Sequence, residues 1–310
     1  MKLASTLVLS LFFLIANSQT ADEYYEKAVN SVNSNHYSVG LRLIDKAISL
    51  DADKADYYII KAVCYHNLEK YDEALETYDA AIQLFPDSAF LYSLRGVQLQ
   101  SMRIFDKALA NHNIAIKLAK DDSLSIMCYV NRSACYMATR NFKMAYNDLM
   151  SAYAIDSMNL NVLNNLGTVC DELGKDDDVF KYLFKIIEID STYYGAYINV
   201  GFKYQQMGLY DKSLVYFDKA IVYEDDEPLL YSNRSYSRLM TGDLKGAMQD
   251  IEKSIKMYPG NSYAYRNRAL IYIAQEKFEE ACEDLQTALN NGFTEMYGDE
   301  VLTLQSKHCK

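Results

Sequence analysis

The tetrapeptide YVNR at Tyr129–Arg132 returns as YSNR at Tyr231–Arg234 and as YRNR at Tyr265–Arg268, at spacings of 102 and 34 residues. The first spacing is three times the second, so the chain is written on a 34-residue ruler. Aligning Ala47, Ala81, Ala115, Ala152, Ala220 and Ala288 extends the ruler from Ala21 to about Glu295. Eight units fit, near 21–54, 55–88, 89–122, 126–159, 160–193, 194–227, 228–261 and 262–295. A three-residue insertion, Ser123 to Ser125, separates the third from the fourth. A period of this length means that each unit is one supersecondary element, too small to bury its apolar face alone and stacked on its neighbours.

The positions within a unit say which element it is. Position 8 is always small: Ala28, Ala62, Gly96, Ser133, Gly167, Gly201, Ser235 and Ala269. Position 20 is small in every unit except the fifth, where it is Val179, and position 27 is Ala or Ser except for Ile186 in the same unit. Two antiparallel helices approach closely only where neither carries a bulky side chain, so these positions mark crossings within a helical hairpin. Aromatics surround them, at position 4 (Tyr58, Tyr92, Tyr129, Tyr197, Tyr231, Tyr265) and position 17 (Tyr37, Tyr71, Phe105, Phe142, Tyr210, Phe278). Gly174, Gly208 and Gly242 stand where a first helix should end in a left-handed residue. Asp-Ser pairs at Asp87, Asp156 and Asp190, with Pro86 and Pro259, supply stops and N-caps at the unit boundaries.

This pattern resembles the tetratricopeptide repeat, and the resemblance runs through eight successive copies; the segment DYYIIKAVCYHNLEKYDEALETYDAAIQLFPD from Asp56 to Asp87 is close to that consensus throughout. The resemblance implies an all-α fold, an α-α superhelix (solenoid) of about eight helix pairs with a groove lined by the first helix of each. The fifth unit departs from the pattern, with Asp176 in an aromatic position and Val179 and Ile186 in small ones, so looser or splayed packing is expected there. The tail, residues 296–310, is not a ninth unit; Val301, Leu302 and Leu304 suit a short helix sealing the last pair.

Composition narrows the function. The 310 residues carry 31 basic and 42 acidic side chains, a net charge of −11 that repels nucleic acid and anionic membrane surfaces. The N-terminus reads as a signal peptide, residues 1–18: Lys2, an apolar run from Leu3 to Ile15, then Ala16-Asn17-Ser18. That predicts an exported protein, periplasmic or extracellular, with no membrane insertion after cleavage. In such a compartment disulfides persist. Of the six cysteines, Cys128 and Cys135 share one helix about 10 Å apart, too far to bridge. Only Cys282 and Cys309 are candidates for a bond, with two free thiols as the equal alternative.

The recurring tetrapeptide separates into two roles. Arg132, Arg234 and Arg268 at position 7 occur in the units that carry Asp148, Asp250 and Asp284 at position 23; in the fifth and sixth units the pairs become Leu166 with Tyr182 and Val200 with Tyr216. Antiparallel helices bring these positions level, which predicts structural ion pairs inside each hairpin. Asn131, Asn165, Asn199, Asn233 and Asn267 at position 6 occur in five consecutive units whether or not the Arg is present. The family resemblance implies that position 6 faces the groove, where a ladder of carboxamides grips the main chain of an extended peptide; Asn solvated or capping locally is the other reading. Met127, Tyr236 and Tyr263, at neighbouring groove positions, would help select side chains. Arg266 has no matching set of lysines, so the chaperone-tail clamp of some family members is not indicated.

Nothing points to catalysis. His36, His66, His112 and His308 fit no metal-ligand spacing, and there is neither a phosphate-binding Gly loop nor a nucleophile elbow. No cofactor or metal is expected. The two glycosylation sequons, at Asn131 and Asn233, fall mid-helix at packed positions. The expected function is a non-enzymatic exported adaptor for a peptide or protein segment, the alternative a scaffold or self-associating homo-oligomer in a cell-envelope assembly.

Overall fold

A computed structural model describes residues 20–309, so the expected leader lies outside the described residues. The described residues form 18 helices and no strand. They fall into two compact units that divide between Val162 and Leu163. In the first, four hairpins follow in order: α1 (Ala21–Asn33) with α2 (Tyr37–Leu50), α3 (Ala55–Asn67) with α4 (Tyr71–Leu84), α5 (Ala89–Ser101) with α6 (Phe105–Leu118), and α7 (Asp122–Ala138) with α8 (Phe142–Ile155). The second holds most of α9 (Leu160–Glu172) with α10 (Asp176–Ile189), then α11 (Tyr194–Gln206) with α12 (Tyr210–Tyr223), α13 (Pro228–Met240) with α14 (Leu244–Met257), and α15 (Ser262–Ala274) with α16 (Phe278–Asn290). Two short helices follow, α17 (Phe293–Tyr297) and α18 (Glu300–His308). None of the described helices is long and apolar enough to cross a membrane.

Each hairpin turns at position 15, where the backbone takes a positive φ in all eight units. Three of these residues are the glycines anticipated from sequence, Gly174, Gly208 and Gly242. The other five are Asn35, Glu69, Arg103, Arg140 and Glu276, near φ 60°. The turn is therefore imposed by the packing of the two helices, and glycine only lowers its local cost. The three-residue insertion is absorbed by α7, which has 17 residues where the other first helices have 13 and is capped by Asp121 accepting from the Leu124 amide. Ser88 caps α5 as expected. Asp156 and Asp190 instead close their own turns, accepting from the Met158 and Thr192 amides, and Asn159 accepts from the Val162 amide at the start of α9.

The crossing within a hairpin is a contact between position 8 on the first helix and position 24 on the second. Where position 8 is Gly, the partner fills the vacated space. A Cβ on Gly96 would lie 2.5 Å from the His112 ring, and one on Gly201 would lie 2.7 Å from the Phe217 ring. At Gly167 the same Cβ would lie 3.5 Å from Leu183, so the fifth hairpin crosses with more room. Val179, Leu183 and Ile186 are buried, and the larger residues at positions 20 and 27 take up part of the volume, while a cleft of about 100 Å³ remains beside Gly167, Val179 and Leu183. Asp176, in the aromatic position, is 2.7 Å from the buried Lys203 ammonium, which also holds Asp171 at 2.5 Å.

His112 is the one histidine among its position-24 counterparts. It is fully buried, and neither ring nitrogen has a hydrogen-bond partner among the described residues. Burial, reinforced by the Arg132 charge, pushes its pKa down from 6.5 to about 4. The folded state thus holds it neutral while the unfolded chain protonates it near 6.5, so its linkage lowers stability as pH falls from 6.5 to 4. His112→Phe, which copies the Gly201–Phe217 crossing, should be more acid-resistant than the parent by about 3 kcal/mol at pH 4 relative to neutral pH, read by urea unfolding across that range. Gly208→Ala, at φ 72° with open space around the new methyl, should cost about 1 kcal/mol in the same assay through backbone conformation alone.

Candidate functional site

The ion pairs expected from the tetrapeptides have the following geometry. Arg132 donates from Nε and Nη2 to the two Asp148 carboxylate oxygens at 2.7 and 2.5 Å, Arg234 to Asp250 at 2.7 and 2.6 Å, and Arg268 to Asp284 at 2.7 and 2.7 Å. The three aspartates are buried. Arg132 and Arg234 each reach a second acceptor on a neighbouring hairpin, Asn113 and Asp218. Such forks commit Nε and Nη2 of each guanidinium to its aspartate, and each joins the first helix of a hairpin to its second. The third unit builds a weaker version from Arg95, Asn111 and Asp79.

The asparagines do not behave as one set. Asn131 donates to Ser93 Oγ at 2.9 Å, Asn199 to Asn164 Oδ1 at 3.2 Å, and Asn267 to the Ser232 carbonyl and hydroxyl at 3.1 and 3.3 Å. In each case position 6 of one first helix ties to position 5 of the first helix before it. Asn267 is 0% exposed, and its carbonyl accepts from Arg266, so it is removed from the proposed ladder. Its amide satisfies a buried interface instead, because a polar group placed there must be paired. Asn131 is likewise engaged between α5 and α7. Asn165 and Asn233 are half-buried and follow the apolar Val130 and Ile198, while Asn199 is exposed. The signal for the tie was legible: Ser93, Asn164 and Ser232 are the polar residues at the preceding position 5.

Met127 and Asn131 lie in the first compact unit, both on α7 and half-buried. The remaining candidates lie in the second. There Gln205 donates to the Asn233 carbonyl and Ser237 Oγ at 2.8 and 2.7 Å, which locks α11 against α13, a pairing the sequence reading missed. Gly167, Thr168 and Asp171 of α9, Val179 and Leu183 of α10, and Asn199, Phe202, Lys203 and Gln206 of α11 line a cleft of about 100 Å³. Phe202 is 40% exposed there, and on α13 Leu229 is 50% and Met240 47% exposed. Tyr236 is half-buried with its ring edge-on to Tyr210. Tyr263 is not open to a ligand, because the tail covers it: its ring lies 5.4 Å from Tyr297 and 6.3 Å from Phe293.

Chemically, this face offers carboxamide donors and acceptors at Asn164 and Asn199, an ammonium already shared between two carboxylates at Lys203, and apolar anchors on either side. Among the described residues no group of three His, Cys, Asp or Glu is placed to hold a metal ion. Ser133 and Ser235 of the sequons are fully buried.

The structural reading of the forks has a direct check. Asp284→Ala strands the Arg268 guanidinium and should cost about 3 kcal/mol in denaturant unfolding. Combining Arg268→Val with Asp284→Tyr, the pair the chain itself uses as Val200 and Tyr216, should recover most of that loss.

Comparison with known proteins gives the same picture of the repeat. Residues 55–88 and 251–283 each match the tetratricopeptide repeat. Human tetratricopeptide repeat protein 6 is 25% identical over 166 residues, 53% of this chain, which spans about a third of that protein's length (32%). A tetratricopeptide repeat protein of Parabacteroides merdae superposes with a TM-score of 0.66 at 22% identity, over 81% of this chain and 98% of that one. Yeast Tom70 superposes with a TM-score of 0.67 at 16% identity, over 94% of this chain and 64% of that one. Stacked hairpins and small crossing residues run through the described residues, two of the units match the repeat directly, and the solved structures share the fold: this is a protein built of tetratricopeptide repeats.

Proposed function

We propose that this protein is an exported, non-enzymatic adaptor that holds an extended peptide or protein segment against the first-helix face of its second compact unit. The fold is one that serves protein–protein interaction, and the repeat leaves that face free of the hairpin's own packing. The observation that carries the reading is that exposed Phe202 shares a cleft with the Asn199 carboxamide, with Leu229 and Met240 exposed on α13, the next first helix. Apolar anchors flanking a donor and acceptor pair suit a segment recognised partly through its main chain. Export rests on the leader at residues 1–18. A net charge of −11 disfavours nucleic acid as the partner.

The second reading, a scaffold that associates through its second helices, draws on α12, where Val222 is 78% and Val215 52% exposed. The two faces are separable. Purified full-length protein is screened against a displayed peptide library, and bound clones are retested on variants. Asn199→Ala combined with Phe202→Ala should weaken capture about tenfold or more, while Val215→Ser with Val222→Ser leaves it unchanged. The opposite pattern, or loss of self-association in the α12 variant alone, would favour the scaffold.

A further inference from the structure

The segment after the eighth hairpin does more than seal it. Phe293 and Val301 are fully buried against the apolar side of α16, in a cluster with Ala281, Leu285 and Ala288. The same segment reaches across to the first-helix face. Tyr297 covers Tyr263, and the Glu300 carboxylate pairs with the buried Arg266 guanidinium, which lies 5.1 Å from the Tyr236 ring and 5.3 Å from the Tyr263 ring. At its far end, Cys309 is bonded to Cys282 on α16, with Cα atoms 5.7 Å apart, and the His308 ring stacks on Phe278. The two alternatives for this cysteine pair thus resolve to a bond.

That bond is half-buried and borders an open cavity of about 540 Å³ lined by Phe278, Glu279, Lys307, His308 and the two cysteines. The four other cysteines are fully buried, and burial pushes the Cys64 and Cys170 thiols up to about 11. A thiol reagent that meets the folded protein therefore has one sulfur site within reach.

We propose that Cys282–Cys309 is a thiol-exchange site, and that a dithiol reductant acting on it releases α18 from the first-helix face. One thiolate of the reductant attacks a sulfur of the pair, forming a mixed disulfide and expelling the other cysteine as thiolate. The second thiol of the reductant then displaces the remaining cysteine. The reductant leaves as its own disulfide, and its two protons end on Cys282 and Cys309. With the bond cut, α18 is a helix of nine residues, below the length that holds by itself in water, and its remaining hold is non-covalent: Val301 and Leu304 in the apolar cluster, the Arg266–Glu300 pair, the His308–Phe278 stack and a hydrogen bond from Gln305 to Gln286. Its departure takes Glu300 away from Arg266, while Tyr263 stays under Phe293 and Tyr297 of α17. That this lengthens the binding face rests on the function proposed above; the opening itself does not.

The test uses the full-length folded protein, millimolar dithiothreitol, thiol alkylation read by mass, and hydrogen exchange read by peptide, with no ligand present. The expected result is alkylation of two cysteines with the other four protected, and exchange of 300–308 faster by roughly tenfold or more while α13 and α14 are unchanged. Cys309→Ser should show the same exchange without reductant. A bond that resists dithiothreitol in the folded protein overturns the proposal, as does a reduced protein whose α18 stays protected.

Discussion

Every hairpin of this chain depends on one steric condition: the first helix must present a small residue at position 8 so that the second can lay a large one across it. Gly96 accommodates His112 and Gly201 accommodates Phe217 so closely that no Cβ fits between them. Where position 8 gains a methyl or hydroxyl, position 24 stays apolar and fully buried, as at Ala28 with Ile44 and Ser133 with Leu149. The small-under-large order is kept down the chain while the residues vary, which is how a repeat tolerates drift.

The fold was legible because this condition recurs with the period. Small residues at positions 8, 20 and 27 located the crossings, the period gave the hairpins, and the co-occurrence of Arg and Asp at positions 7 and 23 identified a contact between helices sixteen residues apart in sequence. All three signals repeat within one chain, so each position is sampled eight times. Features that no constant residue type marks were harder to read. The positive φ at position 15 is hidden wherever a side chain such as Glu69 or Arg103 tolerates it, because tertiary packing outweighs a local conformational cost of about 1 kcal/mol.

The candidate site was less legible, for a related reason. A periodic asparagine satisfies two readings at once, since a carboxamide that can grip a ligand's main chain can equally tie one helix to the next. Distinguishing them requires knowing whether the residue before it in space is polar. Ser93 and Ser232 draw Asn131 and Asn267 inward, whereas Asn199, opposite Asn164, stays at the surface. Tyr263 was misassigned because the tail has no repeat register to announce where it lies. Its aromatic contacts with Phe293 and Tyr297 arise from the two turns at Gly292 and Gly298, both at positive φ.

The exchange of an aromatic for Asp176 carries a consequence for how such an array evolves. Its carboxylate is neutralised by a lysine contributed by the following hairpin, and that lysine is itself buried. The fifth and sixth modules are therefore a matched couple. A duplication, deletion or shuffling event that separated them would strand a buried ammonium without its carboxylates, so the order of these two modules is constrained even though the steric rule that builds each of them is generic.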